Sequence, residues 1–316
     1  MKLITFPGQG SPIGLDAFES YLTRNFNGFN RVFQASKYAD IVKSIGARKT
    51  SADSIVGCSG LLFEAYQLEN GTQEQLCFLG HSLGELSCLA AGNHLYDIPT
   101  TMNIARKRHE LMVATTRQYK VTRGLEDMQF AMWAITAPKS TDLRRDLERI
   151  ISKMQSLGAK SLQLANVNAK TQCVVTGFEQ DLEALKQVLA QGNAIRFKSI
   201  PLANPDGIPF HNSEVLSPII EPLKDFMWKK LKRTGSHTKR KLDHPIISNV
   251  SGCCETDVDT AISNFVSGST KTVEFISCCE TIDALEISTS ANIGPGNVVG
   301  VLVKRNCGIG ANFDWS

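Results

Sequence analysis

No run in this 316-residue chain is long and apolar enough to read as a membrane span, no cysteines are spaced Cys-X-X-Cys, and the net charge is only +3 at pH 7. The first absence excludes a helical membrane protein and leaves no reason to expect a membrane partner. The second removes the usual ligand spacing for zinc and the dithiol motif of a redox protein, so no metal is expected. Nine cysteines remain, at 58, 77, 88, 173, 253, 254, 278, 279 and 307. An odd, scattered set reads as free thiols in a reducing compartment. The mild charge gives no case for nucleic acid, though a local basic patch could still steer an acidic partner. No signal or transit segment is expected ahead of the first strand-like run. Two nucleotide signatures are missing as well. The loop Pro7-Gly8-Gln9-Gly10-Ser11 follows an apolar run at 2–6, yet it has neither the lysine of a P-loop nor the third glycine of a dinucleotide fingerprint.

What is present is the composition of an ordinary globular protein, with 42% hydrophobic and 21% charged residues and ample length for a core. The chain is organised around Gly80-His81-Ser82-Leu83-Gly84. A short apolar run precedes it, and Leu83, Leu86, Leu89 and Ala90 follow at helical spacing. That is the pattern of a nucleophile elbow, in which the serine sits on a sharp strand-to-helix turn and the glycines avoid collisions. Ser82 is therefore the candidate nucleophile. The first N–H groups of the following helix would face an oxyanion formed there. The alternative is a glycine-flanked serine in an ordinary loop. A first strand at 2–6 would deliver Gln9 to the carboxyl edge of a parallel sheet, where sites on such sheets collect.

Along 100–117 the apolar residues Ile104, Ala105, Leu111 and Met112 surround Arg108 at −4, −3, +3 and +4, so a guanidinium rises from an apolar stripe. It requires an anion: either a structural pair with Glu85 or Glu110, or a substrate carboxylate held in arginine's two-pronged geometry. Arg106 and Lys107 read as the solvated side. A β-α-β-β-α-β rhythm follows, with strands at 130–135, 161–167, 173–176 and 195–200 and helices at 142–155 and 181–189. This is the ferredoxin-like unit. The fold expected is thus α/β, a large hydrolase-like domain with a central parallel sheet (1–127 and 204–316) and an inserted ferredoxin-like small domain (128–203). Asn166 and Asn168 fall at the turn between the two middle strands, as turn residues or as ligand contacts. His211 stands ahead of a helix capped by Asn212 or Ser213, where the positive end of the dipole favours the neutral imidazole of a general base. A basic run from Lys229 to Lys241 reads as a solvated face or a docking surface for an acidic carrier.

Taken together the motifs resemble the malonyl-CoA:acyl-carrier-protein transacylase family over nearly the whole chain. Its opening Phe-Pro-Gly-Gln-Gly-Ser is Phe6 to Ser11, and its Gly-His-Ser-Leu-Gly-Glu is Gly80 to Glu85. Its arginine is Arg108, its Asn-X-Asn is Asn166 and Asn168, and the Phe-His pair of malonyl-selective members is Phe210-His211. The Pro-Ile-Ile-Ser-Asn-Val and Gly-Pro-Gly segments also correspond. The resemblance implies a ping-pong transfer with malonyl-CoA and acyl carrier protein as substrate and partner, and no cofactor. Ser82 would be deprotonated by His211, an oxyanion hole formed by the N–H groups of Gln9 and Leu83, the malonate carboxylate held by Arg108, and larger acyl groups restricted by Phe210. Family members orient the histidine through the backbone carbonyl of a glutamine; Gly268 takes that place here, and since any residue supplies a carbonyl the role can survive. The segments 208–213, 244–247 and 294–298 resemble the stand-alone fungal mitochondrial form, which implies a mitochondrial matrix location; apart from that resemblance the expectation is cytoplasmic. Two rivals are an α/β-hydrolase-type thioesterase, which would need an acid between serine and histidine in chain order, and an inactive carrier-binding scaffold.

Overall fold

In the computed structural model, which describes residues 1–24, 35–71, 75–191 and 196–311, the strands in chain order are β1 (Lys2–Phe6), β2 (Leu76–Gly80), β3 (Phe130–Thr136), β4 (Gln163–Ala169), β5 (Gln172–Phe178), β6 (Lys198–Pro201), β7 (Lys241–Ile247), β8 (Cys254–Asp257) and β9 (Thr289–Asn292). They form two sheets in two separate compact units. The first unit comprises Met1–Lys107, Asp225–Phe265 and Cys278–Ser316; the second comprises Arg108–Lys224 and Val266–Ser277.

The first unit holds a sheet in the order β8-β7-β2-β1-β9. All pairs are parallel except β7 with β8. β2 is buried along its whole length, which is why Leu76-Cys77-Phe78-Leu79 reads as a continuous apolar run without alternation. Phe6 and Phe78 on neighbouring strands meet Phe63 of the Ala52–Asn70 helix, with ring centroids 5.6–6.0 Å apart. This helix is buried on most of its circumference, and the carboxylate of Asp53 goes inside with it. Arg48 and Arg106 meet that carboxylate at 2.6 and 2.7 Å. Arg106, its side chain 41% exposed, reaches this buried carboxylate from the solvated side expected for it. The register pairs Phe6 with Gly80, so the loop after β1 and the elbow after β2 leave the sheet at the same edge. The basic residues Lys229, Lys232, Arg233, Arg240 and Lys241 of this unit are exposed.

The second unit is built on an antiparallel sheet in the order β4-β5-β3-β6. The Leu143–Ser156 and Glu179–Gln191 helices pack on one face through Leu147, Ile151, Leu182 and Leu185 against Trp133, Ile135 and Val175. This is the β-α-β-β-α-β arrangement read from the pattern, with Asp142 capping the first helix. Residue 195, expected to start the last strand, lies outside the described residues. The unit is wider than the expected 128–203. Met112 and Tyr119 of the Ile98–Arg123 helix and Ile208, Val215 and Ile219 beyond β6 share one core with Phe130 and Phe178 of the sheet. Val273, far along the chain, exchanges backbone hydrogen bonds with Ala165 and Val167 of β4 at 2.9 Å. Arg108, His211 and Gly268, assigned above to the large domain, therefore belong to the second unit.

Two local readings also change. Asn166 and Asn168 lie within β4, and the turn is made by Lys170 and Thr171. An irregularity in the β4–β5 register sets Asn166 opposite Val174, on the sheet face that carries Met132, Ala134 and Phe210. The helix expected after His211 is broken: Ser213–Leu216 gives way to a 3-10 turn at Ser217–Ile219, where Pro218 has no N–H to continue the ladder, and Ile220–Thr234 follows.

Candidate active site

At the first unit's sheet edge the chain turns from β2 into the Gly84–Ala90 helix within a few residues. Ser82, half-buried, carries the strain, with φ at 51° in the left-handed region that side chains avoid. The two glycines are obligatory on distances alone. A Cβ on Gly80 would stand 2.0 Å from the backbone carbon of Gly84, and one on Gly84 would stand 2.4 Å from the Phe6 carbonyl. The loop after β1 lies against this turn: His81 donates to the Phe6 carbonyl at 3.1 Å, and a Cβ on Gly8 would meet the His81 carbonyl at 2.7 Å. Leu83 caps the helix with its own N–H pointing ahead of the first turn. Among the described residues neither that N–H nor the N–H of Gln9 donates to a protein acceptor. The Gln9 side-chain oxygen is likewise buried without a partner. Both proposed oxyanion donors are therefore unspent in this unit.

The second unit carries the other candidates. His211 is buried and also left-handed, with φ at 60°. Its Nδ1 lies 2.7 Å from the Gly268 carbonyl and 3.0 Å from the Lys271 carbonyl. Two carbonyls only accept, so Nδ1 must be the protonated nitrogen and Nε2 the basic one. The helix after His211 is a single turn capped by Asn212, too short to supply the dipole expected above; the two carbonyls fix the tautomer instead. Arg108 is 3% exposed, and its Nε donates to the Ser269 hydroxyl at 2.9 Å. Glu110, one of the pairs considered for it, is exposed. Phe210 packs on the sheet face opposite the two helices, the face shared by Asn166.

Three residues at these positions escape a linear reading. Ser269 and Lys271 have no signal beyond their closeness to Gly268. Asn249 lies in the Pro-Ile-Ile-Ser-Asn-Val segment, but nothing there says that its side chain reaches the elbow.

A serine on a strained turn between a buried parallel strand and a helix, with unspent N–H donors beside it, is the architecture of a serine acyl-transfer fold. No family model matches the chain. A mitochondrial malonyl CoA-acyl carrier protein transacylase from Saccharomyces cerevisiae is 36% identical, spanning 97% of this chain and 93% of that protein. Among solved structures, an acyl-carrier-protein-S-malonyltransferase from Bartonella henselae superposes with a TM-score of 0.72 at 25% identity, covering 98% of this chain and 94% of that one. A malonyl-transacylase solved in complex with a type II polyketide acyl-carrier protein shares the fold, with a TM-score of 0.70 at 18% identity over 98% of this chain and 94% of that one. The chain belongs to the malonyl-CoA:acyl-carrier-protein transacylase family.

Proposed function

We propose that the chain transfers the malonyl group of malonyl-CoA to the phosphopantetheine thiol of acyl carrier protein, supplying fatty acid synthesis, with Ser82 as the residue that carries the acyl group. In the first half-reaction His211 Nε2 takes the Ser82 proton as Oγ adds to the thioester carbonyl. The N–H groups of Gln9 and Leu83 receive the oxyanion. The carbon–sulfur bond then breaks, and the departing thiolate takes the proton from the imidazolium. The second half runs the same steps in reverse, with the carrier thiol as nucleophile. Arg108 binds the malonyl carboxylate, Phe210 limits the α-substituent, Asn166 and Asn168 belong to the acyl pocket, and the Gly268 carbonyl orients the base. The chemistry uses no bound cofactor. By analogy with the yeast relative's name we place the protein in the mitochondrial matrix, to be tested by fractionating cells that express the full-length chain.

The observation that carries the reading is Ser82 at φ 51° between Gly80 and Gly84, neither of which admits a side chain. The strain has a use if the hydroxyl is a nucleophile. The test is intact-protein mass spectrometry after mixing with malonyl-CoA, alone and with holo carrier protein. A malonyl-sized increase on wild type, absent in Ser82→Ala and discharged to the carrier, is expected. Free malonate instead of malonyl-carrier would mark a thioesterase, and no adduct at all an inactive scaffold.

A further inference from the structure

The elbow's strain is maintained from outside the Gly-X-Ser-X-Gly motif. Asn249, 1% exposed, accepts a hydrogen bond from the Ser82 N–H through Oδ1 at 2.6 Å and donates through Nδ2 to the Gly80 carbonyl at 2.7 Å. One side-chain amide thus grips the backbone on both sides of His81. The partners leave no ambiguity in the amide's orientation, because an N–H requires the oxygen and a carbonyl requires the nitrogen. Asn249 is itself held: its backbone N–H donates to Glu85 Oε1 at 2.8 Å, and Glu85 is buried one turn beyond Ser82. The preceding carbonyl, that of Ser248, accepts from the Cys278 thiol at 3.3 Å. The arrangement is a closed loop, from Ser82 to Asn249 to Glu85 and back through the first turn of the helix, with every group inside the first unit.

We infer that Asn249 is a positioning residue for acyl transfer, the clamp that holds Ser82 in its left-handed conformation and with it the direction of the hydroxyl and of the Leu83 N–H. A residue at positive φ persists only where its surroundings over-determine it. Here the over-determination is two hydrogen bonds from one buried amide. Without them the Ser82 peptide can relax towards an ordinary conformation, which rotates the nucleophile and the adjoining oxyanion donor together. The inference rests on the reading of Ser82 as the acylated residue.

The test uses the whole protein, wild type and the variants Asn249→Ala and Asn249→Asp, with thermal melts recorded for each. Single-turnover acylation is followed with malonyl-CoA and, separately, with a small fluorophosphonate that phosphonylates an activated serine whatever the natural acyl donor. Asn249→Ala is expected to slow both reactions by about 30-fold or more, with the malonyl-CoA concentration at half-maximal rate changed less than about threefold. A protonated aspartic acid presents the same acceptor and donor as asparagine, whereas the aspartate anion has no donor for the Gly80 carbonyl. The rate of Asn249→Asp relative to wild type at the same pH should therefore climb as pH is lowered, while the Asn249→Ala ratio stays flat. A merely structural role would move the melting temperature but not this pH dependence. Wild-type rates in Asn249→Ala, or a flat ratio for Asn249→Asp, overturn the inference. Should Asn249→Ala fail to fold, the Asn249→Asp profile decides alone. If wild type reacts with the fluorophosphonate but not with malonyl-CoA, the malonyl reading fails and the clamp is judged on the fluorophosphonate rates.

Discussion

Replacing Arg108 by alanine separates a carboxylate-binding arginine from a structural one. The side chain is 3% exposed, so its charge has been taken out of water and must be repaid by anionic or hydrogen-bonding partners. Among its partners in the protein is the Ser269 hydroxyl, which Nε meets at 2.9 Å. In the proposed reaction the malonyl carboxylate is a charged partner, and a charge-assisted, two-pronged contact contributes about 2–4 kcal/mol. At 1.36 kcal/mol per decade, its removal should lower kcat/KM for malonyl-CoA by about 30- to 900-fold. Acetyl-CoA has no carboxylate to lose and is also spared a buried cation next to its methyl group, so its rate should hold or rise. Single-turnover acylation of Ser82 with each thioester, followed by intact mass, measures the two rates on one protein sample. A parallel fall for both acyl groups would refute the reasoning, because it would mean that Arg108 supports the fold rather than the carboxylate.

Ser269→Ala removes the fully buried hydroxyl that Arg108 Nε donates to, and should cut the preference for malonyl over acetyl by about tenfold, or 1.4 kcal/mol, in a competition assay. Gly84→Ala drives a Cβ to 2.4 Å from the Phe6 carbonyl, a clash with backbone that cannot yield; Ser82 should lose all acylation and the melting temperature should fall, whereas Gly46→Ala, with nothing within 4 Å, should spare both. Burial works against ionisation of Asp53, but hydrogen bonds from Ser51 and Arg106 and the charges of Arg48 and Arg106 outweigh it and hold the carboxyl below its ordinary value. A group depressed on folding stabilises above its unfolded pKa, about 4, and that contribution is lost as pH falls through the folded value. Asn at position 53 should therefore cost about 1–3 kcal/mol at pH 7, and the gap to wild type in denaturant melts should close on acidification.

The features legible in the sequence are those whose causes are local. The elbow announces itself because glycine, apolar strand and helical spacing fall within one short run, and the Asn212 cap sits directly before the helix it starts. The second sheet follows from an alternation of periods that each strand and helix states for itself. What stays hidden depends on partners distant in sequence. Asn249 reaches a backbone N–H 167 residues away, and Arg106 answers a carboxylate 53 residues away. The placement of Asn166 turns on a register irregularity that composition does not encode. The breadth of the second unit arises because Tyr119 and Ile219, outside the repeating pattern, share its core.

The Val266–Ser277 stretch is separated in sequence from the rest of the second unit, yet it brings the carbonyls of Gly268 and Lys271 to His211 and the hydroxyl of Ser269 to Arg108. It is tied down by Val273 on β4 and by Glu274, which Arg144 meets at 2.8 Å. The proposed proton acceptor and the proposed carboxylate-binding cation thus hang from one short tether. A change in its path moves both at once, so choice of acyl group and speed of transfer are not separately tunable there, and variants that broaden the substrate range by altering this stretch should lose turnover in the same step.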